Sequence, residues 1–136
     1  MFQVQPVRSR ELQAEIAKAL RCEYIDGTYA FFAGELSEDC KTVTSLIGMC
    51  QFTFDPEEAV IKSLVWSPES ENDEAIIILA RAVMSFVYRA EIPMISIDGG
   101  ILSTEFIKSL GFREADGEFR IDLKKFYLSP CHYNDV

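Results

Sequence analysis

Three apolar stretches between Thr28 and Trp66 constrain the fold more than any other feature of the chain. They run from Thr28 to Leu36, from about Val43 to Phe54 and from Ala59 to Trp66, separated only by SEDCK (37–41) and Asp55-Pro56-Glu57-Glu58. Neither connection can hold a crossover helix, so neighbouring strands must reverse and pair as an antiparallel meander. The period then changes. From Glu74 to Ala90 the apolar run is broken only at Glu74 itself, Arg81, Ser85 and Arg89. The last three fall on one narrow stripe of a helix, so most of its circumference is expected to be buried. Such a helix lies against a sheet, and its spare apolar surface suits a second subunit.

The flanking segments extend this pattern. Phe2, Val4 and Pro6-Val7 alternate with Gln3 and Gln5, which reads as a first strand. Ser9 is placed to cap a helix over RELQAEIAKALRCEY, with Leu12, Ile16, Ala19 and Leu20 on one face. Asp26-Gly27 is a turn signal. Pro93 to Ile97 reads as a short buried strand ended by Asp98-Gly99-Gly100. A last helix, about Leu102 to Leu110, stops at Gly111. Phe112 to Ala115 and Glu118 to Tyr127 read as a hairpin around Asp116-Gly117. The order β-α-β-β-β-α-β-α-β-β predicts an α/β (α+β) domain with a mixed, mostly antiparallel sheet flanked by about three helices. No linker or repeat divides it, so residues 1–136 are expected to form one domain.

The net charge is −9. An acidic surface repels the phosphates of nucleic acids and anionic lipids, and Lys108 and Lys124-Lys125 are too sparse to make a basic patch. Neither a nucleic-acid nor a membrane partner is expected. The acidity suits a cationic partner such as an amine, and equally suits simple solubility. The start MFQVQPVRSR has no secretion-signal pattern, so a cytoplasmic protein is expected. Cys22, Cys40, Cys50 and Cys131 include no C-x-x-C pair, and His132 is the one histidine, so no metal site is expected.

Three local patterns give these elements a family likeness. Ala59-Val-Ile-Lys-Ser-Leu-Val-Trp-Ser-Pro68 is an alternating strand closed by proline. The helix over 74–90 follows it directly, and Phe106-Ile-Lys-Ser-Leu-Gly-Phe112 ends the last helix with Leu-Gly-Phe. In this order they resemble the GNAT superfamily of acyl-CoA-dependent N-acyltransferases. The resemblance implies acetyl-CoA as cofactor and an amine as acetyl acceptor. It implies a fourth strand that splays from the fifth, with main chain at Val65 and Trp66 polarising the acyl carbonyl. It also places the cofactor's pyrophosphate on the turn that opens the central helix, where N–H groups and the helix dipole attract an anion. By position that turn is Asn72, Asp73, Glu74 and Ala75.

The sequence departs from the family's Arg/Gln-Gly-x-Gly-x-Gly/Ala pattern at that turn. Glu71 holds the arginine position and both internal glycines are absent from Glu71-Asn72-Asp73-Glu74-Ala75-Ile76. Each acid at ~7 Å from a phosphate charge costs roughly 0.6–2 kcal/mol. The same acids favour a helix start, so the turn reads either as a variant cofactor loop or as helix-capping chemistry alone. The family's catalytic Asn and Tyr positions fall at Gly100 and Ile107, with Ser103 and Thr104 nearby. Glu35, Asp98 and Ser103 remain as catalytic candidates, the first two as bases. Ser9 to Gly27 leaves room for one helix where the family fits two. Trp66 either lines a pocket or fills the splay. Two functions follow as expectations: an N-acetyltransferase for an unknown amine, or a non-catalytic relative. The latter would associate with a protein partner or a second copy through aromatic surface such as Tyr29-Phe31-Phe32, or bind another small ligand.

Overall fold

The computed structural model describes residues 2–38, 43–67 and 73–128. Seven strands form one sheet in the order β1-β2-β3-β4-β5-β7-β6. The meander is present as β2 (Tyr29–Leu36), β3 (Val43–Phe54) and β4 (Glu58–Trp66), with β1 (Phe2–Pro6) antiparallel along β2. The single parallel pairing joins β4 to β5 (Met94–Ile97), as the intervening helix α2 (Asp73–Arg89) requires. β6 (Arg113–Ala115) and β7 (Glu118–Asp122) make the predicted hairpin, with Asp116 and Gly117 both at positive φ as a two-residue turn demands.

Two apolar layers hold the helices. The larger packs α2 and α3 (Thr104–Ser109) onto one face of the sheet through Ile76, Leu79, Val83, Ile107 and Leu110 against Phe52, Ile61, Leu64 and Ile95. The smaller packs α1 (Arg10–Ala19) onto the opposite face over β2 and β3, through Ile16, Ala17, Phe32 and Met49. Cys50 lies wholly inside the larger layer, where burial pushes its thiol far above its ordinary range.

The structure corrects several sequence-based expectations. Gln13, not Leu12, faces the sheet: Gln13 is 4% exposed and Leu12 38%. Gln13 tolerates burial because its Nε2 donates to Gln51 Oε1 (2.8 Å) and to Thr28 Oγ1 (2.9 Å). α1 stops at Ala19 rather than near Tyr24. Arg21 turns to φ 58 and the Cys22 N–H reaches back to the Ala17 carbonyl, a Schellman closure without glycine. The last strand ends at Asp122 rather than Tyr127, and Leu123–Leu128 form a fourth helix, α4. Asp122 Oδ1 accepts the Lys125 N–H at 3.1 Å and so starts that helix.

Candidate functional site

β4 runs beside β5 only over Glu58–Ile61, paired with Met94–Ile97. β5 then ends in the Asp98 turn while β4 continues to Trp66, so a gap opens between them. The ladder with β3 decides which main-chain donors face the gap. The Ser67 N–H bonds the Ile47 carbonyl at 2.7 Å, and Trp66, Val65 and Leu64 lie opposite Gly48, Met49 and Cys50. Antiparallel partners alternate between bonded and non-bonded pairs. Val65 is therefore bonded to β3, whereas Leu64 and Trp66 aim their N–H groups into the gap. The register shift opposite Gln51 and Phe52 falls at Lys62, between the stretch paired with β5 and the stretch left without it.

Side chains close one side of this gap. The indole of Trp66 stacks on Phe106 of α3, with ring centroids 5.3 Å apart and planes inclined by 27°. Both rings pack against the larger core. The main chain beneath is equally tight. A Cβ at Gly48 would lie 2.6 Å from the Val65 carbonyl oxygen, 2.8 Å from Ile76 Cδ1 and 3.1 Å from Trp66 Cβ. Glycine at this point is what lets β3, β4 and the first turns of α2 meet.

The other candidates scatter. Ala75 is fully buried and Glu74 exposed in the first turn of α2. Asp73 opens that helix, and Asn72, with Glu69 and Glu71, lies outside the described residues. Glu35 sits opposite Ser45 on β2 at the same end of the sheet as Trp66, but β3 intervenes, a lateral separation of about 10 Å. The Asp98 carboxylate accepts the Gly100 N–H at 3.0 Å and shapes the turn after β5. Ser103 is the N-cap of α3, its Oγ accepting the Phe106 N–H at 3.2 Å. Ile107 is wholly buried, so that position supplies packing and no proton. Glu35 and Asp98 lie three strand spacings apart, roughly 14 Å, and cannot share one reacting group. Among the described residues no His, Cys, Asp and Glu cluster could hold a metal ion, and no helix is long and apolar enough to cross a membrane.

Two members of the site carry little sequence signal. Phe106 occurs in an ordinary amphipathic stretch, and its pairing with Trp66 joins segments distant in the chain. Leu64 is a buried core side chain whose relevance lies wholly in its main-chain N–H.

No protein-family model and no curated protein sequence matches this chain. Solved structures do. A spermidine N-acetyltransferase from Vibrio cholerae, in a mutant form, matches with a TM-score of 0.68 at 10% identity, over 96% of this chain and 98% of that one. An acetyltransferase from Trypanosoma brucei matches with a TM-score of 0.63 at 11% identity, over 85% and 95% respectively. A GNAT family acetyltransferase from Elizabethkingia anophelis with acetyl-CoA bound matches with a TM-score of 0.57 at 15% identity, over 85% and 78%. The chain has the GNAT fold. At such identities the likeness extends to the fold alone.

Proposed function

We propose that the protein binds an acyl-CoA thioester at the end of β4 and passes its acetyl group to an amine. The observation that carries this reading is the pair of main-chain donors, Leu64 and Trp66, that β4 turns toward the gap once β5 has ended. Acetyl-CoA supplies the activated acetyl thioester. The chain supplies N–H groups fixed by the β3 ladder, which suit a carbonyl oxygen and do not depend on side-chain identity. These donors fit the cofactor, although the Trp66 ring occupies space beside them. An amine acceptor is in keeping with the net charge of −9 and with the spermidine N-acetyltransferase of the same fold.

Isothermal titration with acetyl-CoA is expected to give a dissociation constant between about 10 µM and 1 mM, corresponding to roughly 7 to 4 kcal/mol. Because Glu69, Glu71, Asp73 and Glu74 crowd the segment before and into α2, affinity should rise as added salt screens them from the phosphates. No heat and no thermal shift at millimolar acetyl-CoA would end the proposal.

One feature favours a second, non-catalytic reading: self-association. Tyr29, Ile78 and Phe86 are 57%, 39% and 37% exposed. Tyr29 packs on Phe54 at 4.7 Å and Phe54 on Phe86 at 5.7 Å, so the rings form one apolar surface spanning β2, β3 and α2. Under this reading sedimentation equilibrium should show a dimer that Phe86→Ser converts to monomer. A monomeric wild-type chain at about 100 µM, corresponding to about 5.5 kcal/mol, removes it.

A further inference from the structure

On the reading that the gap receives an acyl-CoA, we infer that Trp66 is its gate. The indole holds the α2 side of the gap closed against Phe106 and must leave that stack before a thioester arm can lie along β4. The same residue has two parts with opposite effects. Its main-chain N–H is aimed into the gap. Its ring, 5.3 Å from that of Phe106, bridges β4 to α3 across one side of it. Removing the ring leaves the donor in place, so the two contributions can be separated experimentally.

The backbone cannot withdraw to make room. Gly48 already admits no Cβ between Val65 and Trp66, and the Ser67 N–H is tied to Ile47. Opening must therefore come from rotation of the Trp66 side chain or movement of α3. Both are feasible. The two rings are half-buried, not sealed, and α3 is a six-residue helix whose N-cap is an exposed serine. A closed gate lowers apparent affinity by the fraction of molecules in which it stands open. Releasing an offset ring stack of this kind corresponds to a change of about three- to tenfold.

The protein has one tryptophan, so its intrinsic emission reports on Trp66 alone. Titration with acetyl-CoA is expected to shift the wild-type emission as the ring leaves Phe106. Trp66→Ala is expected to bind acetyl-CoA about three- to tenfold more tightly by calorimetry. Phe106→Leu, which frees the ring from the other side and keeps the fluorophore, should show the unstacked emission before ligand is added. Circular dichroism melts of both variants establish that each is folded. Binding of equal strength in wild type and both variants, with unchanged emission, overturns the gate while the acyl-CoA reading stands. Weaker binding in Trp66→Ala makes the ring a contact and likewise overturns the gate. No binding by any of the three chains removes the acyl-CoA reading and the gate with it.

Discussion

Replacing Gly48 with alanine is expected to destabilise the fold by about 2–3 kcal/mol, lowering the melting temperature by roughly 8–10 °C for a domain of this size. The added methyl would lie 2.6 Å from the Val65 carbonyl oxygen and 2.8 Å from Ile76 Cδ1. The Ile76 methyl can rotate aside. The Val65 carbonyl cannot, because its residue is held opposite Met49 in the ladder. The strand must therefore part from β4 or α2 must lift. Alanine's better intrinsic fit to a strand, about 0.5–1 kcal/mol, offsets only part of the clash. Gly117→Ala provides the comparison. That residue has φ +80 with nothing within 4 Å of a built Cβ, so it carries only the left-handed backbone penalty of about 1–2 kcal/mol. Gly48→Ala should also speed amide exchange at Ile76 and its neighbours, which Gly117→Ala should not. A Gly48→Ala melting temperature within about 2 °C of wild type, equivalent to well under 1 kcal/mol, would show that the three elements do not meet as tightly as described.

The positions where strands and helices occur were legible because their patterns are long. Val43–Phe54 and Glu58–Trp66 flank a hairpin turn, and Asp73–Arg89 carries a sustained helical period. Helix ends were legible only where a chemical marker exists. Gly111 closes α3 at φ 109 as expected, but α1 and α2 close on Arg21 and Glu91 at φ 58 and 64. Neither residue advertises a left-handed conformation. The closures are specified by bonds such as Ile92 N–H to the Val87 carbonyl, which exist only once the loop has docked. Pattern alone does not separate β7 from α4, because FRIDLKKFY is apolar at both two- and four-residue spacings. Asp122, which separates them, acts through a single cap.

The site was legible to a lesser degree, for a related reason. Counting from Pro68 locates the end of β4, yet which N–H groups leave the sheet depends on ladder parity. The bulge at Lys62 sets that parity, and in the sequence it shows only as the adjacent polar pair Lys62-Ser63, which moves the core-facing positions from Ala59 and Ile61 to Leu64. The N–H groups that leave the sheet are thus those of Leu64 and Trp66 rather than of Val65 and Trp66. Similarly, the size of an indole predicts that Trp66 fills space, but not that Phe106 is what it meets. Ser103 and Asp98 are polar residues near the chemistry that the family likeness implies. Each accepts a nearby backbone N–H, the commonest use of such residues at helix starts and turns.

Gln51→Leu should destabilise the protein by about 3 kcal/mol although leucine is apolar and similar in size. Gln51 is 0% exposed and its amide makes three hydrogen bonds. Its Oε1 accepts from Gln13 Nε2 at 2.8 Å and from the Ile25 N–H at 3.0 Å, while its Nε2 donates to the Glu23 carbonyl at 2.9 Å. Thr28 completes the set, donating to the Ile25 carbonyl at 2.6 Å and accepting from Gln13. This network fastens α1 and the segment after it to the middle of β3, where the smaller apolar layer alone is thin. Leucine would remove one acceptor and one donor, leaving a buried Gln13 N–H, the part-buried Ile25 N–H and the part-buried Glu23 carbonyl without these partners. Each such orphan costs about 1–3 kcal/mol. Exchanging Gln13 for leucine as well removes one of the orphans. The double variant should therefore lie about 1–2 kcal/mol above the stability expected from summing the single losses. Urea unfolding of the four chains measures this coupling, and amide exchange at Ile25 should accelerate in Gln51→Leu. If Gln51→Leu unfolds within about 0.5 kcal/mol of wild type, hydrophobic gain outweighs the lost bonds, and α1 is held to the sheet by Ile16 and Ala17 instead.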